Sequence, residues 1–521
     1  MSTDSRTNGR SAPTGDETAR LVRALRDPAR YPHAAGPIEL IETHISYVLL
    51  TGPYAYKLKK PLRLPFLDFS TLERRRRFCE AELELNRRFA PDLYLDVVPI
   101  GGTPDAPEIG RTPAIEYAVK LVQFDPHATV DRLLDEGVLD RVTVERFAET
   151  VAEFHLAAPV AEGRPPGALA LENIAELDEA LAAAHVELHV EDLEAFTRKA
   201  AAALDETFAA RRRAGSVREV HGDLHLENVV LHDGRLRAFD ALEFDRTMRS
   251  MDVIDEVAFL VMDFSAHARP DLAHVLLNRY LEITGDYAGT ACLAFYVLYR
   301  ALVRAKVRAI KAAQAGAPAG ERVAPYLAFA LRLIRPRAPR LILTYGLSGS
   351  GKTTITSELV ARLPALRLRS DLERKRLAGV AADAHEELAV GEGRYDESAT
   401  EKTYAALAAG ADAALAGGLD VIVDATFLTA QRREAFSPIA ERHGASLTIL
   451  ACNAPEAELR RRIRARAEAR KDASEATEAV LDAQLRTAEP PDDDARARVI
   501  RVDTAAAIDY DELVKALLHS K

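Results

Sequence analysis

The stretch Gly346-Leu-Ser348-Gly349-Ser350-Gly351-Lys352-Thr353-Thr354 admits few folds. It follows the apolar run 341–343 and precedes a helical pattern, so strand, glycine-rich turn and helix arrive in the order that a phosphate cradle requires. The spacing G-x-x-x-x-G-K-T is that of a P-loop, or Walker A motif. Its glycines let backbone N–H groups wrap an anion without interference from a Cβ. Lys352 then reaches the β/γ-phosphates and the Thr353 hydroxyl reaches Mg²⁺, while Ser348, Ser350 and Thr354 lie along the same turn. A nucleotide-binding α/β unit with a parallel sheet follows, and everything upstream must belong to a second unit.

At 521 residues the chain is too long for one ordinary core. Three cysteines, Cys79, Cys292 and Cys452, stand far apart without metal-ligand spacing, which points to a reducing cytoplasmic setting. Residues 1–16 are polar and have no apolar core of a signal peptide, so they read as a flexible tail. The longest apolar runs, 253–264 and 291–303, carry acids or arginine, and no membrane segment is expected. A net charge of −11 argues against a nucleic-acid partner, although a local basic patch can override it.

Residues 45–50, Thr51-Gly52-Pro53 and 54–59 read as strand, tight turn and strand. Alternation puts Ala55, Lys57 and Lys59 on one face and Tyr54, Tyr56 and Leu58 on the other. A helix over 72–89 places Phe78, Glu82, Leu85 and Phe89 on one side, and an acid there calls for a cation, with Lys57 the candidate. Glu80 and Glu84 flank Glu82 and leave the pairing open. The arginines at 74–77 read as a solvated helix face. After a strand at 114–124, helical patterns run over 131–213. Then Val220-His221-Gly-Asp223 leads through Asn228 to an Asp233-Gly234 hairpin ending at Asp240. Asp223, Asn228 and Asp240 converge there, a set suited to oxygen coordination of Mg²⁺ with one base to spare.

His221-x-Asp223-x-x-x-x-Asn228 resembles the catalytic loop shared by protein kinases and aminoglycoside phosphotransferases, in the H-G-D form of the latter. Tyr54-Ala-Tyr-Lys57 is similar to the V-A-I-K motif of that superfamily. The resemblance covers about 16–335. It implies that Asp223 accepts the hydroxyl proton, that Asn228 and Asp240 hold Mg²⁺, and that Lys57 paired with Glu82 grips the α/β-phosphates. By the same resemblance Asp252 braces the catalytic loop. No G-x-G-x-x-G precedes Lys57, and only the loop at 42–46 is available to cover phosphates.

The prolines in Arg335-Pro-Arg-Ala-Pro339 stop the helices before the P-loop strand. Beyond the P-loop helix, a short strand at 366–370 ends at Asp371, with Arg374 one turn on. In a parallel sheet, loops at the carboxyl ends of the strands converge on the ligand. Asp371 can therefore position and deprotonate an acceptor hydroxyl, and Arg374 can bind acceptor or phosphate. The buried strand 419–424 brings Asp424 to the same end, for Mg²⁺ or for the acceptor. The helix 456–471 is dense in arginine and reads as a mobile lid, with Leu459, Arg462 and Arg466 on one face. Residues 340–490 resemble the polynucleotide-kinase and zeta-toxin-like group of small P-loop kinases. That resemblance implies Asp371 and Arg374 as catalytic residues, Arg466 as the catalytic arginine of the lid and Arg462 as a nucleotide contact.

The expected architecture is α/β and α+β. A flexible tail (1–16) leads into a bilobal kinase-like domain (17–335, its N-lobe about 17–125 and helical C-lobe about 126–335), followed by a three-layer α/β/α P-loop NTPase domain with a parallel sheet (336–521). The expected activity is ATP- and Mg²⁺-dependent, bifunctional transfer of the γ-phosphoryl group to a hydroxyl of a small polar molecule, such as a sugar or aminocyclitol. One rival is a polynucleotide 5′-hydroxyl kinase. Another is a P-loop kinase gated by a ligand-binding, non-catalytic kinase-like domain. The oligomeric state is not legible.

Overall fold

The computed structural model describes residues 15–64, 67–186, 190–316, 320–335, 337–380, 397–469, 477–492 and 497–519. The chain divides into two compact units. One comprises 1–139, 158–163 and 217–251, and the other 140–157, 164–216 and 252–521.

In the first unit, six antiparallel strands lie in the spatial order Glu39–Glu42, Ser46–Leu50, Tyr54–Lys59, Ala114–Val122, Tyr94–Thr103, Ala106–Ile109. Gly52 turns the chain at φ +100°, a conformation closed to most side chains, and sets Val48 opposite Lys57. Alternation sorts the two faces as the side chains require. Tyr56 and Leu58 join Leu21 of helix Gly15–Ala24 and Leu25 just beyond it in one core, while Ala55 packs with Cys79, Leu93 and Val119 on the other side. Helix Leu72–Asn86 begins at Thr71, whose side chain accepts from the Arg74 N–H.

One expectation fails here. Arg75 is fully buried and its Nε donates to both oxygens of Glu116 at 3.0 and 2.9 Å, with Nη1 on the Phe69 carbonyl at 3.0 Å. The run 74–77 is therefore not a uniform solvated face. Position 75 shares the inward stripe with Cys79 and Glu82, at i, i+4 and i+7, while Arg74 and Arg76 lie outside it. The hairpin Val229–His232/Arg235–Ala238 closes through Asp233 and Gly234 at φ +48° and +72°, the primed turn that fits strand twist.

The second unit combines helices with a five-stranded parallel sheet. Its strands run in the order Ala365–Arg369, Asp420–Asp424, Arg340–Tyr345, Ser446–Asn453, Arg498–Asp503. Ile342, Ile422 and Leu450 pack against Ile355 and Leu359 of helix Lys352–Arg362 and Leu513 and Leu517 of helix Tyr510–Leu518. Helix Glu397–Ala416 also packs against this sheet. The P-loop strand is central, so crossovers leave it in both directions, and the cleft at that switch point opens at the carboxyl ends. Register puts Arg369 opposite Asp424 at that end. Arg337 and Arg340 both pair with Asp420 at the opposite end, tying the proline-containing joint to the sheet. Among the described residues no helix is long and apolar enough to cross a membrane.

Candidate active sites

The first unit gathers its polar residues around Lys57. Its Nζ lies 2.8 Å from Glu82 Oε1 and also pairs with Asp240. Burial works against the ammonium charge, yet Asp240 and Glu82 together hold its pKa well above the ordinary lysine value. Glu82, fully buried, is shared with Lys59 at 2.7 Å, and Lys59 also pairs with Glu243. Of Glu80, Glu82 and Glu84, Glu82 is therefore the partner of Lys57, because it alone of the three is buried.

The loop after strand Val217–Glu219 is stitched to the hairpin exit. Phe239 N–H donates to the Asn228 carbonyl at 3.0 Å, His221 Nε2 meets the Phe239 carbonyl at 3.0 Å, and Leu242 N–H reaches the His221 carbonyl at 3.0 Å. These bonds bring Asp240 beside Asn228. Asn228 Nδ2 donates to the Asp223 carbonyl at 3.0 Å and to its Oδ2 at 3.2 Å, which orients the carboxylate and leaves the amide oxygen as the atom for a hard cation. Asp240 sits at φ +63°, an unusual conformation for a non-glycine residue, and its side chain is 47% exposed. Its N–H donates to the Tyr94 hydroxyl at 3.0 Å, and Asn86 Oδ1 accepts from Ala241 N–H at 3.0 Å. A lysine–acid pair, an exposed carboxylate, an amide oxygen and an oriented second carboxylate form a donor set that fits Mg²⁺ on a nucleotide.

In the second unit a cavity of about 780 Å³ opens at the carboxyl end of the sheet. Ser348, Gly349, Gly351, Lys352, Thr353 and Thr354 form one wall, and Asp371, Arg374, Asp424, Arg432 and Arg462 also line it. Gly346 and Ser350 lie behind that wall: a Cβ on Gly346 would come within 2.5 Å of the Cys452 carbonyl and of Ser350 Oγ. Lys352 Nζ donates to the Gly346 and Leu347 carbonyls at 2.8 and 2.9 Å. Asp424 is buried and accepts from Thr356 Oγ1 at 2.9 Å. Asp371 occupies the first turn of helix Ser370–Leu377, so its carboxylate stands where helix and strand ends meet, and Arg374 follows one turn later. Volume, cations and a carboxylate beside a P-loop fit a magnesium nucleotide. Gly346→Ala should weaken binding of a fluorescent ATP analogue by at least about 10-fold, because the opposing atom is a backbone carbonyl that cannot step aside.

Helix Glu456–Ala469 carries the arginines read as a lid. Only Arg462, among its described arginines, lines the cavity, donating to the Gly349 carbonyl at 3.3 Å and the Thr504 carbonyl at 2.7 Å. Arg460 pairs with Glu456, Glu478 and Asp482, Arg461 with Glu458, and Arg464 with Glu478. Acids at i−4 and i−3 and on helix Glu478–Thr487 hold these charges at the surface. The Arg466 side chain lies outside the described residues. Asp252 caps helix Val253–Ala266 and pairs with Arg211 at 2.7 Å.

Several site residues escaped the sequence reading. Lys59 and Glu243 carried a signal, since Lys59 shares the Lys57 face and Glu243 stands three residues after Asp240. Tyr94, Asn86 and Gln484, whose Oε1 accepts from Ser348 N–H at 2.8 Å, had none. Arg432, stacked 4.8 Å over the Tyr404 ring, lies in a helix of only five residues with no motif around it.

Comparison with known proteins gives two family matches. Residues 62–296 match the phosphotransferase enzyme family and residues 341–491 match the AAA domain described as AAA_33. Uncharacterized proteins from Mycobacterium bovis and Mycobacterium tuberculosis are 29% identical over 480 residues, covering 91% of this chain and 93% of theirs. A choline/ethanolamine kinase family protein from Mesorhizobium loti aligns at 13% identity over 62% of this chain and 96% of its own, with a TM-score of 0.39. A gluconokinase from Sinorhizobium meliloti aligns at 21% identity over 35% of this chain and 91% of its own, with a TM-score of 0.24.

Proposed function

As the chain joins a kinase-like phosphotransferase domain to a P-loop kinase domain with a parallel sheet, we propose that it carries two phosphotransferase centres. Each uses ATP with Mg²⁺ and moves the γ-phosphoryl group to a hydroxyl of a small polar metabolite, of the sugar or aminocyclitol kind. The supporting observation is that each unit gathers a lysine, carboxylates and amide or hydroxyl oxygens: Lys57 paired with Glu82 and Asp240, and Asn228 bonded to Asp223, in one; Lys352, Thr353, Asp371 and Asp424 around one cavity in the other.

In the first centre Lys57, held by Glu82, binds the α/β-phosphates, and Asn228 and Asp240 would hold the metal. Asp223 takes the proton of the acceptor hydroxyl as its oxygen bonds to the γ-phosphorus and the bond to ADP breaks. In the second, the amides from Gly346 to Thr354 cradle the phosphates and Lys352 leaves its carbonyl partners for them. Thr353 and Asp424 would hold the metal, Asp371 takes the acceptor proton and Arg374 orients the acceptor, with Arg462 on the nucleotide side. Bound Mg²⁺ neutralises charge on the phosphates. Catalysis then depends mainly on positioning and charge. The three buried, free cysteines support a reducing, cytoplasmic setting.

The test is a screen of hydroxylated metabolites and oligonucleotides for ATP-dependent phosphorylation by the full chain, with Lys352→Ala and Asp223→Ala alongside. Lys352→Ala should remove one activity and spare the other. Labelling of 5′-hydroxyl oligonucleotides in preference to small molecules would replace the metabolite reading. An Asp223→Ala chain that alters only the Lys352-dependent activity would make the first centre regulatory.

A further inference from the structure

Helix Pro270–Thr284 lies within the stretch that matches the phosphotransferase family, yet it packs on the P-loop sheet in the same compact unit. Asn278, buried, addresses the edge strand Ala365–Arg369 as a neighbouring strand would. Its Nδ2 donates to the Ala365 carbonyl at 3.0 Å and its Oδ1 accepts from the Arg367 N–H at 2.6 Å. A side-chain amide thus satisfies two ladder positions that an open edge leaves bare. One turn later Glu282, also buried, accepts from Arg367 Nη2 at 2.7 Å and lies 3.9 Å from Arg369. Burial opposes its charge, but Arg367, Arg369 and Arg279 keep its pKa below the usual carboxylate value.

The same helix grips the next element. Arg376, on helix Ser370–Leu377, donates to the Glu282 carbonyl at 3.0 Å, stacks 5.4 Å over the Tyr287 ring and lies so close to Gly285 that a Cβ there would meet Arg376 Cδ at 2.6 Å. Strand Ala365–Arg369 runs directly into helix Ser370–Leu377, and that junction carries Asp371 and Arg374. Its two flanks are therefore held by one helix of the upstream family.

We propose that Asn278 and Glu282 are positioning residues of the P-loop centre, setting Asp371 and Arg374 against the cavity, so that this kinase depends on the helical lobe of the upstream domain for the alignment of its acceptor side. The inference depends on the role given above to Asp371. It predicts a division within the site: the nucleotide wall, built on helix Lys352–Arg362, keeps its affinity when the grip is lost, while turnover does not.

The experiment uses the full chain carrying Asp223→Ala to silence the first centre. Asn278→Leu, Glu282→Ala, the conservative Glu282→Gln and Asp371→Ala are compared. Three quantities are read: Lys352-dependent hydrolysis of MgATP with water as acceptor, Lys352-dependent binding of a non-hydrolysable ATP analogue, and amide hydrogen exchange of 370–377 and 352–362. Asn278→Leu and Glu282→Ala should lower turnover about 10- to 100-fold, as sub-ångström to ångström misplacement does, and speed exchange at 370–377, with analogue affinity and exchange at 352–362 little changed. Glu282→Gln, which keeps an acceptor for Arg367, should fall between. Unchanged exchange at 370–377 in both variants overturns the proposal, whatever the hydrolysis rate. So does joint loss of affinity and of protection at 352–362, which marks general unfolding. Full turnover in Asp371→Ala would instead remove the role of Asp371 itself, whereas full turnover in Asn278→Leu and Glu282→Ala beside an inactive Asp371→Ala would remove the positioning alone.

Discussion

Asp223→Ala should lower phosphoryl transfer by the kinase-like centre about 10²- to 10⁴-fold, the range for loss of a positioned general base. Affinity for MgATP should stay within about 2-fold, because the role proposed for the carboxylate is on the acceptor and not on the nucleotide. The orientation is built in: Asn228 fixes the carboxylate from one side at 3.2 Å and His225 Nε2 stands 3.4 Å from the same oxygen. Asn228→Ala removes both that orientation and the oxygen proposed as a metal ligand, so it should reduce transfer and metal affinity together. Steady-state kinetics at varied Mg²⁺ distinguishes the two variants. Equal loss of ATP affinity and turnover in Asp223→Ala would place this residue on the nucleotide and not on the acceptor.

Glu82→Ala should destabilise the first unit by about 3–5 kcal/mol, the cost of removing the shared acid from a buried ion-pair network in which, among the described residues, Lys57 keeps only Asp240 and Lys59 only Glu243. The figure is large because one carboxylate serves two buried ammonium groups, Lys57 at 2.8 Å and Lys59 at 2.7 Å. Urea unfolding read at the first unit checks it, with Glu82→Gln expected to lose less. A pH dependence follows from the same arrangement. Burial pushes the Glu82 carboxyl up, but Lys57 and Lys59 pull harder and bring it to about 2. Since that is below the unfolded value of about 4.3, the pairing contributes fully above that pH and its contribution disappears as the pH falls toward 2. Glu243 behaves oppositely, raised by burial against the pull of Lys59. Its contribution is present below the unfolded value and fades as the pH rises through the folded one. The wild-type acid limb should therefore be steeper than that of Glu82→Gln.

Local patterns were legible in both halves. Gly346 to Thr354 could be read as the turn between a sheet strand and a helix beside a cavity, because a P-loop is a run of consecutive residues and its pattern is local. The same holds for Asp223, Asn228 and the Asp233-Gly234 hairpin, where turn geometry brings residues a few positions apart to one place. Strand alternation also carried Lys57 and Lys59 to a shared face, since a period of two needs no tertiary information.

What tertiary structure decided is which of several equivalent side chains meets a distant partner. Glu80, Glu82 and Glu84 differ little as sequence, and only the packing of helix on sheet selects Glu82. Arg75 looks like its neighbours until Glu116, 41 positions away, receives it inside the core. The arginines of helix Glu456–Ala469 are dense enough to resemble a lid, but the facing acids of helix Glu478–Thr487 take Arg460 and Arg464 to the surface. Asn278 and Glu282 are ordinary polar residues of an amphipathic helix until the edge strand at Ala365 arrives beside them. Local rules specify hydrogen bonds between chain neighbours; a charge or amide whose partner lies tens of residues away is assigned only when burial removes water as the alternative partner.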